Sequence, residues 1–155
     1  MNKPHDRARS VTTAGDAAVS GLLHGLAAGL AMGAYLVVAN LLAGQPLPAA
    51  LRLFALPSES LGPLAALLGH LAVAGVYGLV WGVLWWFVAG QLPVPALLAG
   101  PVYGLLLFAI AQLALSAAGT TPSPGWLNLV VAHVLYGLVL GWFSRRRSGP
   151  SGETH

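Results

Sequence analysis

Cysteine is missing from this chain of 155 residues. Its absence rules out disulfides, thiolate nucleophiles, iron–sulfur ligation, thioether-attached haem and a lipidated N-terminal cysteine. Charge is nearly as scarce, with Asp, Glu, Lys and Arg together making only 7% of the residues, against about a quarter in an ordinary soluble domain. The acids Asp6, Asp16, Glu59 and Glu153 all lie outside the long apolar runs. A proton- or sodium-coupled carrier built on an intramembrane carboxylate is therefore not expected, and arginine is absent from the runs as a voltage sensor would require. No His-Glu-x-x-His or comparable catalytic motif occurs, so no enzymatic activity is expected. The net charge of +3 rests on few acids rather than on a basic surface, and nucleic acid is not an expected partner.

What the chain does have is apolar residues in long blocks, 57% of the total, with 20 glycines and 11 prolines between and among them. These blocks far exceed the roughly 10–14 residues of a buried soluble helix. Four transmembrane spans are read at about 17–43, 61–89, 96–118 and 126–143. The fold class is thus an all-α integral membrane protein, a four-helix bundle in contact with the lipid bilayer. Residues 1–16 read as a disordered cytoplasmic tail and 144–155 as a basic cytoplasmic tail. The first apolar run is too long for the roughly 7–15 residues of a signal-peptide core, so it is read as a retained span. In the first loop, prolines at 46, 48 and 57 flank an amphipathic segment at about 48–56, too short to span and expected to lie at the interface.

Orientation follows from the cationic residues. Lys3, Arg7 and Arg9 precede the first span and Arg145, Arg146 and Arg147 close the last, which puts both termini in the cytoplasm. The composition suits a bacterial inner (plasma) membrane.

Small residues recur every four positions on each span: Gly21, Gly25, Gly29 and Gly33, then Ala74, Gly78 and Gly82, then Gly100 and Gly104, and finally Gly137 and Gly141. In lipid such faces let helix backbones approach. They serve packing within one bundle or, for the long first ladder, contact with a second copy. The second and fourth spans share a Tyr-Gly-Leu-Val-x-Gly core at 77–82 and 136–141, suggesting a weak two-plus-two repeat. The first and third spans do not repeat visibly.

Three histidines fall inside spans. His70 and His133 are expected at similar depth on parallel helices, where two imidazoles could bind haem b or a chlorin axially. His24 is expected nearer the cytoplasmic side without a partner at its own depth, and with Tyr77 and Tyr136 it forms a candidate proton or polar site. Each histidine has a plainer role as a hydrogen-bonding tie between helices. The stripe Tyr77, Trp81 and Trp85 reads as packing, or as a wall for a pigment or hydrophobic ligand. Buried tyrosine hydroxyls need partners, and neighbouring histidines are the expected ones. Asn40, Gln112, Ser116 and Asn128 are too scattered to define a pathway.

The leading functional expectation is a non-enzymatic bundle that acts by association, as an accessory subunit beside other membrane proteins or as a homo-oligomer. A haem b or chlorin protein and a small channel or transporter are the alternatives.

Overall fold

A computed structural model describes residues 13–51, 62–89, 91, 93–117, 119 and 125–145. The helices are α1 (Ala14–Leu42), α2 (Leu47–Leu51), α3 (Pro63–Val88), α4 (Ala96–Ala117) and α5 (Trp126–Arg145). All but α2 are long and apolar enough to cross a bilayer. The protein is an all-α, multi-pass four-helix bundle. Of the interfacial segment expected at about 48–56, α2 accounts for the start, with Ala50 fully buried, and the remainder lies outside the described residues, as do the outer parts of both tails.

The first helix begins before the expected residue 17 because Thr13 and Asp16 form a capping box. The Thr13 hydroxyl accepts from the Asp16 N–H at 3.1 Å, and the Asp16 carboxylate accepts from the Thr13 N–H at 2.9 Å. Proline in the first turn starts α3, where its missing N–H has no helical partner to lose. Beyond the ends of α1 and α4, Gly44 and Gly119 take positive φ of 78° and 77°, the left-handed turn that glycine adopts without a side-chain clash.

The long helices alternate in direction and pack as two tight pairs joined chiefly through α1 and α5. On one side α1 and α3 lie antiparallel, Gly21 against Gly78 and Gly82, and Gly25 against Ala74 and Gly78. On the other, α4 and α5 do the same, Gly100 against Gly137 and Gly141, and Gly104 against His133 and Gly137. The two interfaces match residue for residue. A β-carbon placed on Gly21, Gly25, Gly78 or Gly82 would meet the carbonyl oxygen of Gly78, Ala74, Gly21 or Ala17. A β-carbon on Gly100, Gly104, Gly137 or Gly141 would meet that of Gly137, His133, Gly100 or Ala96. Ala17, Gly21 and Gly25 thus correspond to Ala96, Gly100 and Gly104 at one constant sequence spacing, and Ala74, Gly78 and Gly82 to His133, Gly137 and Gly141 at another. The first and third spans therefore do repeat, at the positions that touch, which corrects the sequence expectation. The repeat also pairs His133 with Ala74 rather than with His70.

In each of these contacts a glycine Cα–H points at a carbonyl oxygen across the interface, a weak hydrogen bond worth about 0.5–1 kcal/mol. The ladder of α1 is occupied by α3, with Gly29 against the Ala74 methyl and Gly33 buried one turn further on. Of the two roles expected for this ladder, packing within one bundle is the one seen at Gly21, Gly25 and Gly29. Leucines and valines turn outward instead, with Leu64 and Leu113 each 70% exposed.

A β-carbon at Gly25 would sit 2.5 Å from the Ala74 carbonyl oxygen and 2.7 Å from the Gly78 Cα, whereas one at Gly69, on the outer face of α3, would meet nothing within 4 Å. Gly25→Ala is expected to cost about 2–3 kcal/mol, because backbone rather than a flexible side chain must move, lowering the melting temperature in detergent by roughly 4–12 °C. Gly69→Ala should leave it unchanged or raise it, as alanine is the better helix former. Equal melting of the two variants would contradict the packing described.

Candidate functional site

With glycines holding the two tight pairs, polar and aromatic side chains fill the centre and the contacts between the pairs. Tyr136 on α5 donates its hydroxyl to the Ala74 carbonyl of α3 at 2.6 Å, and Tyr103 on α4 donates to the Tyr77 carbonyl of α3 at 2.9 Å. Tyr35 on α1 donates to the Asn128 side-chain oxygen of α5 at 3.2 Å. The expected tyrosine–histidine pairs are not among these contacts. A helical carbonyl has a second lone pair available beside its own ladder bond, and the close backbones bring such carbonyls within reach.

His70 and His133 lie near enough to interact electrostatically, but their hydrogen bonds go to different backbones. His70 points Nε2 at the Gly29 carbonyl of α1, 3.3 Å away. His133 donates Nδ1–H to the Leu129 carbonyl of its own helix at 2.8 Å and sets its ring edge against Phe108 of α4, with centroids 5.5 Å apart. Haem or chlorin ligation asks for matching free ring nitrogens. His133 keeps Nε2 for such a bond, while His70 directs its Nε2 at backbone. Among the described residues no group of three or more metal-binding side chains converges.

His24, Tyr77 and Tyr136 occupy different surroundings. Tyr136 is buried mid-bundle and Tyr77 is over a third exposed on the outer side of α3. His24 stacks on Phe143 of α5, with ring centroids 4.5 Å apart and planes within 3°. That stack joins α1 to α5 near the start of α1.

Beside His24 is a half-open cleft of about 220 Å³, lined by Ser20, His24, Trp81, Trp85, Trp86 and Ser144 over a floor of Ala17, Gly21 and Gly82. It opens at the end of the bundle where α1 starts and where α3 and α5 finish. Trp81, only 5% exposed, is its anchor. Its indole N–H donates to the Ser144 hydroxyl at 2.9 Å, and that hydroxyl donates to the Leu140 carbonyl at 2.9 Å. One face of Trp81 stacks on Trp85 at 5.3 Å, and Tyr103 packs on it at 5.1 Å. Packing thus accounts for Trp81 and Trp85 of the aromatic stripe, while Tyr77 is over a third exposed, with its phenol still near those of Tyr103 and Tyr136. At the end of α5 the Arg145 guanidinium lies 3.2 Å over the Trp142 ring, a cation–π contact.

Sequence reasoning missed this cleft, although a signal was present. Even-numbered spans with both ends on one side bring the start of α1 together with the ends of α3 and α5, and so group His24 with Trp85 and Trp86. The chain matches no protein-family model, no curated protein and no solved structure.

Tyr136→Phe removes the hydroxyl but leaves the Ala74 carbonyl its own helical bond. The variant is expected to lose about 0.5–1.5 kcal/mol, read as a lower denaturant midpoint in mixed micelles with unchanged helix content. A midpoint equal to that of the parent chain would mean that this bond ties nothing.

Proposed function

We propose that this chain is a non-enzymatic bundle of a bacterial inner (plasma) membrane, with both termini in the cytoplasm, that works by association as an accessory subunit beside other membrane chains. The observation that carries this reading is that the polar groups within the spans close on the bundle itself. No buried side-chain nitrogen or oxygen among the described residues lacks a hydrogen-bond partner. Most of those partners are backbone carbonyls: His70, Tyr103 and Tyr136 reach a neighbouring helix, and Asn40, His133 and Ser144 bond one turn back on their own, which supports structural roles rather than steps along a pathway. Haem or chlorin ligation would need His70 to leave the Gly29 carbonyl. Transport would need a connected polar route. The apolar outer faces of the helices remain for lipid and for neighbouring chains.

Native-membrane extraction in mild detergent followed by mass measurement tests association. A species heavier than the 15.9 kDa chain is expected, and a lone monomer at all detergent concentrations would overturn the proposal. Orientation is tested separately with single cysteines, which the native chain lacks. An impermeant maleimide applied to intact spheroplasts should label Gln45→Cys, in the turn after α1, and spare Gln91→Cys, in the turn after α3. The reverse pattern would place the termini outside.

A further inference from the structure

The cleft at the α1 start is lined almost wholly by one half of the repeat, α1 and α3, with Ser144 the contribution from α5 among the described residues. At the equivalent positions, Ser20 becomes Ala99, His24 becomes Tyr103, Trp81 becomes Leu140 and Trp85 becomes Ser144. In that second half the space is filled. Tyr103 spends its hydroxyl on the Tyr77 carbonyl and Leu140 is fully buried. The small residues that hold the helices together are retained in both halves, so the cleft is a difference in side chains laid over the same backbone packing.

Its lining defines what would fit. Among the described lining residues there is no Asp or Glu to balance a cation and no Lys or Arg to balance an anion. The hydrogen-bonding groups on the lining are the Ser20 and Ser144 hydroxyls, the His24 imidazole and the Trp85 and Trp86 indoles. The His24–Phe143 stack fixes the imidazole plane, and the Trp81–Ser144 bond fixes the indole that forms the wall. Flat indole faces favour a planar partner at offset-stacking distance. A volume of about 220 Å³ lies below the roughly 300 Å³ at which drug-sized pockets begin, leaving room for one substituted ring. The ends of α1, α3 and α5 would lie at the membrane surface, where an amphiphile presents its head group while its tail stays in lipid.

We infer that this cleft binds the head group of a membrane-dissolved quinone: a neutral planar ring whose carbonyl oxygens accept from His24 and Ser20 while its face lies on the outer, Trp85 side of the Trp81–Trp85 stack. The inference stands apart from the proposed role in association, since a monomeric chain would bind the ring equally well.

The test is calorimetric titration of the full chain in maltoside micelles with a decyl-tailed dimethoxy-benzoquinone, with protein-free micelles as the blank. Saturable binding of one molecule per chain is expected. His24→Leu and His24→Asn both lose the stack on Phe143, but only asparagine keeps a donor. Binding should weaken at least about tenfold in His24→Leu, a lost hydrogen bond's worth, and stay within about threefold of the parent in His24→Asn. Absence of saturable binding to the parent chain would overturn the inference. Equal weakening in the two variants would also overturn it, because the imidazole would then serve only the fold. So would displacement of the quinone by a phosphocholine-headed detergent at equal concentration, which would make the indoles a cage for quaternary ammonium.

Discussion

The contact on which everything else in this bundle depends is a glycine Cα–H set against a carbonyl oxygen of the facing helix. It occurs four times between α1 and α3 and four times between α4 and α5. Each instance is weak. Their value in lipid comes from what is absent there, because apolar side chains gain nothing by leaving hydrocarbon for one another. Helices must instead be held by close packing and by polar contacts that lipid cannot supply. Backbone meeting backbone provides both, and it works only where neither partner carries a β-carbon in the way.

This constraint sorts residues by size rather than by polarity. The buried positions of α1 are mostly glycine and alanine, while Val19, Leu23, Leu30 and Val38 face outward. The large side chains that do turn inward fill the centre and the contacts between the two tight pairs. There aromatic rings bridge the wider gaps: His24 on Phe143 between α1 and α5, and Trp81 on Tyr103 between α3 and α4. The same approach of backbones leaves carbonyls within reach of Tyr103, Tyr136 and His70, so the polar ties follow from the glycine packing.

This sorting also explains which features could be read from the sequence. The four spans were legible because length and hydropathy alone identify them, and the four-residue glycine period was legible because it is the pitch of one helix face. Which face turned inward was not legible from polarity, since leucine outside and glycine inside are both apolar. The repeat of α1 in α4 was hidden for a related reason. Only Ala17, Gly21 and Gly25 need match Ala96, Gly100 and Gly104, and three small residues among many are no signal. In α3 and α5 the shared Tyr-Gly-Leu-Val run was visible, but its alignment already separated His70 from His133 by one turn. Depth and face suggested a shared ligand, whereas the partners they take depend on carbonyl positions that only the packed backbones reveal.

A scaffold held by backbone contacts has a consequence for where function is able to arise. In a soluble core the side chains that pack are the side chains that stabilise, so changing them costs stability. Here the two tight interfaces consist of glycine, alanine and carbonyls, and the residues on adjoining sides carry less of the fold. His24 and Tyr103 occupy the same place in the two halves, as do Trp81 and Leu140. One pair lines an opening and the other closes it, with the glycine contacts beneath unchanged. Such positions can diverge to suit a ligand without unfastening the helices, which makes the place where the two halves differ a sounder guide to function than the places where they agree.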